Sequence, residues 1–224
     1  MLRKIFFPLL LGLAGFAVLV ALGVWQVQRL QWKTGILDQI DARITAAPVA
    51  LPDNPDPATD AYLPVTATGR ITGTPLSVLV STKADGAGYR IITAFQTTDG
   101  RRILADLGFL GLDARATALP TDDITITGNL LWPDEVDNWT PAPDPSGIWF
   151  ARDAPAMAQA LDTEPLLLVA RAISPASPTV PMPVGTEGIP NDHLGYAITW
   201  FLLAGFWVAM TGLLIFRTLR PKDA

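Results

Sequence analysis

The chain contains one histidine, His193, and no cysteine. Neutral imidazole is a good ligand for iron, so His193 is a candidate axial ligand for a haem iron. It directly precedes residues 194–216, a stretch without a charged side chain. The alternative is an ordinary polar side chain at the level of the lipid headgroups, and residue chemistry by itself favours that alternative.

Three large side chains near the amino terminus form a second candidate group. Trp25, Arg29 and Trp32 are separated by four and three residues, which places them on one face of a helix. Arg29 would lie at the depth of His193 if the two ends of the chain pair, and it could then neutralise an acidic group of a bound ligand. An interfacial aromatic belt with a snorkelling arginine is the alternative, and residue chemistry alone favours it.

Several kinds of site are excluded or disfavoured by composition. The lack of cysteine excludes disulfides, thiolate catalysis, covalent c-type haem attachment and zinc–thiolate centres. One histidine beside an apolar segment cannot form a nucleophile–base pair within a soluble domain, and no glycine-rich phosphate loop follows a strand. The pI of about 4.7 and the lack of a basic stripe argue against nucleic-acid binding. We therefore expect no catalytic residues.

Two apolar segments, residues 5–24 and 194–216, are long enough to cross a hydrocarbon core of about 30 Å. The first could instead be a cleaved signal peptide, but its length exceeds the usual apolar region of such peptides, about 7–15 residues. We therefore expect an uncleaved anchor. Small residues on the two segments offer surfaces for helix–helix contact; they are Ala14, Ala17, Ala21, Gly205, Ala209 and Gly212.

The charge distribution predicts the orientation of these spans. No lysine or arginine occurs in residues 172–216, whereas three follow within residues 217–222. By the positive-inside rule the second span exits into the cytoplasm, and two spans then place the amino terminus there as well, with Arg3 and Lys4. Residues 25–193 carry 11 basic and 20 acidic side chains, which fits a domain outside the cytoplasm.

Between the spans, the spacing of hydrophobic residues changes from the helical repeat to alternation, with every second residue hydrophobic. Residues 25–46 should continue the first span as a helix, and residues 47–61 form a linker rich in proline and aspartate. Short segments with alternating hydrophobicity predict strands at residues 62–71, 76–82, 88–98, 101–110, 124–132 and 166–173. Asp99-Gly100 is a strong hairpin signal, and Asp153 can cap a short helix that ends near Leu161.

The expected fold is a membrane protein in which two transmembrane helices, N- and C-terminal, flank one periplasmic β-rich α+β domain with an antiparallel sheet. Short connections between strands are the reason to expect antiparallel pairing. The predicted parts are a cytoplasmic head (1–4), the first span (5–24), the periplasmic domain (25–193), the second span (194–216) and a cytoplasmic tail (217–224). Within the domain, the β-rich part covers residues 62–173 and a proline-rich linker covers residues 174–190.

Several segments together resemble the Surfeit locus protein 1 family of cytochrome c oxidase assembly factors. The segments are residues 23–33, 88–95, 103–109 and 149–158, the last with an aromatic–Arg–Asp sequence before an Ala-Met helix. The most specific is Asn-Asp-His-Leu-Gly-Tyr-Ala-Ile-Thr-Trp at residues 191–200, which is similar to the family's closing motif. One departure is Leu107, where many members carry arginine before Gly-Phe or Gly-Trp.

The resemblance implies a non-catalytic factor that binds or presents haem a for insertion into subunit I, the largest subunit of cytochrome c oxidase. The family's closing histidine corresponds to His193, which favours haem ligation over the headgroup alternative. Tyr196 and Trp200, three and seven residues further on, could face the same macrocycle. Arg29 and Trp25 complete the candidate haem-contacting residues.

Subunit I and membrane lipid are the expected partners, and a haem a synthase is a further candidate partner. The short basic head lacks the pattern of a mitochondrial presequence, so a bacterial inner membrane is the expected location. Two other functions stay open: a periplasmic scaffold for oxidase assembly that binds no cofactor, and a haem-dependent membrane enzyme.

Overall fold

A computed structural model describes residues 2–83, 86–114 and 118–220, with the side chains of residues 2–4 left out. The predicted basic flanks at Arg3, Lys4 and Lys222 therefore lie outside the described side chains. The chain divides into two compact units, which are described separately below. The first combines residues 1–39 with residues 186–224, and the second covers residues 40–185.

Two long helices form the first unit. Helix α1 covers Leu2–Ile44, with its last turns in the second unit, and helix α4 covers His193–Leu219. Both are long and apolar enough to cross a membrane. Most of their large apolar side chains point outward, with Leu13 66% and Leu202 69% exposed. The predicted span and its helical continuation are thus one uninterrupted helix, and Pro8 is accommodated in an early turn.

Glycines allow α1 and α4 to pack closely in antiparallel directions. A Cβ atom at Gly23 would lie 2.7 Å from the ring of Phe201, and one at Gly12 would lie 2.3 Å from Thr211 Cγ2. A larger residue at either position would have to displace the facing side chain, so glycine favours this approach. The indole Nε1 of Trp207 also donates a 3.0 Å hydrogen bond to the carbonyl oxygen of Gly12.

The prediction of which small residues line this contact was wrong. A Cβ atom added at Gly205 or at Gly212 would have no neighbour within 4 Å among the described residues. Ala14, Ala17, Ala21 and Ala209 are exposed. The face of α4 toward α1 instead contains Ala197 and Ala204, each 2% exposed. Small residues on every face of an apolar helix do not reveal which face is covered.

The second unit is a closed β-barrel with two short flanking strands. Its strands are β1 (Val49–Ala50), β2 (Pro64–Thr82), β3 (Gly86–Thr97), β4 (Arg102–Gly111), β5 (Ile124–Leu131), β6 (Ile148–Trp149) and β7 (Glu164–Ser174). The order β2-β3-β4-β7-β5 closes because β5 pairs with β2 as well as with β7. Closure leaves these five strands without a long free edge.

The prediction of an antiparallel sheet was wrong, because the sheet is mixed. β4 and β7 pair in parallel, and the short β1 and β6 pair in parallel with β2. The parallel pair arises because the chain crosses over through β5, a long loop and helix α3 (Ala154–Leu161) before it returns beside β4. Adjacency in sequence did predict the β2–β3 and β3–β4 hairpins, which are antiparallel.

Two further sequence predictions need correction. The strands predicted at residues 62–71 and 76–82 are one strand, β2, with a bulge between Thr72 and Leu76. The linker predicted at residues 47–61 contains β1 and a short helix, α2 (Pro57–Asp60), which Asp56 caps. The hairpin at Asp99-Gly100 and the Asp153 cap of α3 are confirmed, with Asp153 Oδ1 accepting from Ala156 N at 3.0 Å.

The barrel packs two apolar clusters on opposite faces of its strands. Phe95, Leu107 and Leu168 belong to the larger cluster and are fully buried. Met157 of α3 packs against Leu104 and neighbouring side chains in the smaller cluster. The alternation of strand side chains therefore separates one cluster from the other.

The contact between α1 and α4 can be tested in this cysteine-free background. We expect Gly12→Cys with Thr211→Cys to form an intramolecular disulfide, because a Cβ at position 12 lies 3.1 Å from Thr211 Cβ, close to the separation of about 3.8 Å found in disulfides. After proteolysis between the two positions, the fragments should migrate together until they are reduced. Gly12→Cys with Gly205→Cys is the control. Equal cross-linking of both pairs, or of neither, would contradict the packing.

Candidate functional site

His193 is the first residue of α4, in a turn whose entry is polar. Asp192 occupies the N-cap position, but its side chain makes no capping hydrogen bond. The side chain of His193 is half-buried. Because its helix begins at this residue, the imidazole lies at one end of the two-helix unit rather than along its apolar length.

The imidazole is held from α1 by Gln26. His193 Nδ1 lies 2.8 Å from Gln26 Oε1, and Gln26 is only 9% exposed. An amide oxygen accepts hydrogen bonds and cannot donate them, so this contact assigns the proton to Nδ1. Among the described residues, Nε2 has no hydrogen-bond partner. This arrangement leaves the Nε2 lone pair available to a metal ion.

Two more polar groups lie at this end of the first unit. The Lys33 ammonium of α1 donates to the carbonyl oxygen of Pro190, three residues before His193. The Oδ1 atom of Asn191 is buried and has no hydrogen-bond partner among the described residues. Lys33 is therefore a cation that contacts the segment preceding α4. From the sequence, Arg29 was the cation expected near His193.

Arg29 and Trp25 are exposed on α1, to one side of the face that meets α4. The Arg29 guanidinium stacks over the ring of Trp32, 4.3 Å from the ring centroid. Trp25 is 51% exposed and lies about 100° around the helix from Gln26. The predicted face of Trp25, Arg29 and Trp32 thus exists, but no contact joins it to His193 among the described residues.

Tyr196 and Trp200 follow His193 on α4, three and seven residues further along the helix. Tyr196 is 59% exposed, and Trp200 is half-buried. In two antiparallel helices that meet through Gln26 and His193, helical spacing places these two rings and Arg29 on the same side of the pair. That side offers aromatic surface next to the imidazole and a guanidinium at its border.

Gln26 was not predicted from the sequence, although a signal was present. Gly12, Gly15, Gly23 and Gln26 follow helical spacing on one face of α1, and all four meet α4. A polar side chain on a stripe of glycines within an apolar helix indicates a partner on the facing helix.

The second unit contains a buried cluster of charges that the sequence analysis also missed. Asp106 is 0% exposed, and its Oδ2 lies 3.1 Å from Arg90 Nε and 3.4 Å from Arg152. Its Oδ1 accepts a 3.0 Å hydrogen bond from Gly108 N. Arg152 also holds the carboxylate of Glu135 through its guanidinium and its backbone N–H. The cluster joins β3, β4, the loop after β5 and the segment before α3.

Burial and ion pairing act in opposite directions on these groups. Burial raises the pKa of Asp106, while the charges of Arg90 and Arg152 oppose the rise. Burial likewise acts to raise the pKa of Glu135, but the hydrogen bonds from Arg152 outweigh it and lower that pKa. The contribution of Glu135 to stability is therefore present above its ordinary pKa of 4.5 and is lost as the pH falls through its lower folded-state value.

The similarity of this chain to known proteins extends over both units. A model of the SURF1 family matches residues 13–205, which include Gln26, the Asp106 cluster and His193. The chain belongs to the SURF1 family. The resemblance noted in the sequence is thereby confirmed.

Curated relatives of this SURF1-family protein include proteins of animals and of a bacterium. It is 28% identical to Surfeit locus protein 1 of Homo sapiens over 212 residues, 82% of this chain and 69% of the relative. It is 28% identical to Surfeit locus protein 1 of Xenopus tropicalis over 209 residues, 81% of this chain and 67% of the relative. It is 27% identical to the SURF1-like protein of Rickettsia felis over 207 residues, 87% of this chain and 91% of that bacterial protein.

The structure explains the leucine that departs from the family pattern. Leu107 is fully buried in the larger apolar cluster of this SURF1-family protein, while its neighbour Asp106 faces the charges. Successive strand residues face opposite sides of a sheet. In this chain, Arg90 and Arg152 pair with Asp106 on the side of β4 that Asp106 faces. Leu107 faces the other side and packs in the larger apolar cluster.

The Asp106 cluster predicts a large effect on stability. We expect Asp106→Asn to lower the free energy of unfolding by about 3–5 kcal/mol, because the buried Arg90 loses its ion-pair partner and Arg152 loses one of its two. Urea unfolding of the full-length protein in detergent micelles, followed by tryptophan fluorescence, measures the change. Asp123→Asn is the control, since the Asp123–Arg70 pair is exposed and should change stability by about 1 kcal/mol or less. Equal effects at the two positions would refute the role of the cluster.

Proposed function

We propose that this protein is a membrane-anchored assembly factor for cytochrome c oxidase, and that it binds haem a through His193 and presents it for insertion into subunit I. Membership of the SURF1 family supports the general role, because members of this family are generally cytochrome c oxidase assembly factors. The observation that carries the haem assignment is the state of His193, with Nδ1 hydrogen-bonded to Gln26 and Nε2 without a partner among the described residues.

The residues around His193 suit a haem a macrocycle. Neutral imidazole is the common protein ligand of haem iron, which accepts the Nε2 lone pair. Haem a carries a long isoprenoid tail, and burial of each methylene stabilises by about 0.8 kcal/mol. The outward apolar side chains of α1 and α4 provide a surface for that tail. The aromatic rings of Tyr196 and Trp200 lie on the same helical face as the imidazole and can cover the macrocycle.

Two cations near this end of the helix pair suit the propionates. Lys33 lies beside Pro190, and the guanidinium of Arg29 is oriented by Trp32. We propose that these side chains bind the propionates at the polar end of the unit. Trp25, about one turn before Arg29, would contact the edge of the macrocycle or the headgroup region from the same face of α1.

The outward-facing apolar side chains also support a membrane location. Side chains such as Leu13 and Leu202 would be unfavourably exposed in water, and lipid would cover them. We propose that α1 and α4 span a bacterial inner membrane, with both termini in the cytoplasm and the barrel in the periplasm. The charge asymmetry and the relationship to a Rickettsia protein support this arrangement. Subunit I would then receive the haem at the periplasmic ends of the helices, and a haem a synthase would supply it.

The ligand assignment predicts the behaviour of two variants. We expect His193→Ala to abolish or greatly weaken haem a binding without loss of folding or membrane insertion, because the chain has no second histidine. Arg29→Ala should weaken binding by no more than about fivefold, since a hydrated ion pair contributes about 1 kcal/mol or less. Absorption spectra and pigment extraction at equal protein concentration measure both effects.

Retention of haem a by His193→Ala, at the stoichiometry and with the spectrum of the parent protein, would show that the ligand assignment is wrong. The scaffold without a cofactor would become the leading function if the purified parent protein also failed to bind haem a. Binding can be lost because the ligand is missing or because the protein is destabilised. The Asp106→Asn variant separates these two causes, because it perturbs the barrel and leaves the residues of the two-helix unit unchanged.

The proposed topology can be tested with reporter fusions. We expect a reporter that is active only in the cytoplasm to work when it is fused after Ala224, because residues 217–222 carry three basic side chains. The same reporter inserted at Gly100, in the exposed β3–β4 turn, should be inactive. Activity at Gly100 and inactivity after Ala224 would reverse the orientation.

A further inference from the structure

Gln26 is the only described side chain that hydrogen-bonds to His193. It comes from the other end of the chain, 167 residues away in sequence, and is almost fully buried between the two helices. Three other polar groups lie near the start of α4, and none of them accepts from the ring in this structure. The Lys33 ammonium is a donor that binds Pro190 O, the side chain of Asp192 is exposed, and Asn191 Oδ1 is buried without a hydrogen-bond partner among the described residues.

We infer that Gln26 is a positioning residue that fixes the tautomer and the direction of the His193 ring. The inference rests on the proposed function for the identity of the metal, but the tautomer is a property of the protein without haem. Metal-binding histidines usually donate their second ring N–H to an acceptor, which orients the ring and makes the other nitrogen the ligand. Gln26 Oε1 is such an acceptor, so Nε2 becomes the ligand atom.

The choice of an amide over a carboxylate has a chemical consequence. A carboxylate at this position would donate more negative charge to the imidazole and make it a stronger ligand. A neutral amide orients the ring with less donation of charge to the metal. Gln26 is therefore a suitable partner for a histidine that must hold haem in a defined orientation and also release it to another protein.

The packing of α1 against α4 restricts the conformation of the Gln26 side chain. Gly23, one turn earlier on α1, is in contact with Phe201, so the two backbones are close at this level. Gln26 and His193 then meet directly, at 2.8 Å. A shorter or apolar side chain at position 26 would remove the acceptor that Nδ1 has in this structure, and the ring could then rotate or change tautomer.

The single histidine allows a direct test without haem. Full-length protein labelled with ¹⁵N-histidine, in detergent micelles at a pH where imidazole is neutral, should show Nδ1 protonated and Nε2 unprotonated in the nitrogen NMR spectrum. Gln26→Leu should abolish this preference, and Gln26→Glu should restore it because a carboxylate also accepts from Nδ1. Gln28→Leu is the matched control, since Gln28 is an exposed glutamine on the same helix.

A haem titration then connects the tautomer with binding. We expect Gln26→Leu to weaken the affinity for ferric haem a by about 10–100-fold, the usual effect of losing such a partner. Gln26→Glu should retain affinity and lower the midpoint potential of the bound haem, whereas Gln28→Leu should change neither. The cross-link between positions 12 and 211 verifies in each variant that the helices still pair.

Two results would overturn the inference: a parent protein with Nε2 protonated, or a Gln26→Leu variant with the parent's tautomer and affinity. Failure of the proposed function has a different signature. In that case the parent would show the expected tautomer and its dependence on Gln26, but His193→Ala would bind haem a as the parent does.

Discussion

The hydrogen bond between Gln26 and His193 joins the two ends of the chain at the candidate site. It forms because Gly12 and Gly23 allow the backbones of α1 and α4 to approach closely. In an apolar environment an unsatisfied polar group is costly, so polar atoms on paired helices must find partners on each other. Gln26 satisfies His193 in this way, and Gly12 O accepts from the indole of Trp207. The same requirement that holds the helices together therefore orients the imidazole.

The barrel depends on a different balance of forces. Asp106 is buried at a cost in solvation that only the adjacent guanidinium groups of Arg90 and Arg152 can offset. These residues come from three separate segments that resemble the family, and Glu135 extends the network to the loop after β5. Removal of Asp106 leaves Arg90 without an ion-pair partner among the described residues. The cluster thus makes the register of β3 and β4 and the position of the segment before α3 mutually dependent.

Local patterns predicted most residues of the five long strands, although β2 was divided into two, and they also predicted the Asp99-Gly100 turn and the apolar helices, because the causes lie within a few residues. Barrel closure and the parallel pairing of β4 with β7 depend on contacts between distant segments, for which short connections were a misleading guide. At the candidate site, His193 was identifiable as the only histidine, but the fold was needed to place Gln26 beside it. Asp106 gave a usable signal, as an isolated carboxylate within an apolar strand. Its arginine partners were not evident, since they lie on other segments.

The central claim is that His193 coordinates the haem iron. Electron–nuclear double resonance on the ferric haem a complex of full-length protein labelled with ¹⁵N-histidine tests it directly, because the haem nitrogens are ¹⁴N and the chain has one histidine. Direct coordination predicts a strongly coupled ¹⁵N signal that is lacking in the unlabelled complex. Haem a bound at full stoichiometry without such a signal would contradict the claim.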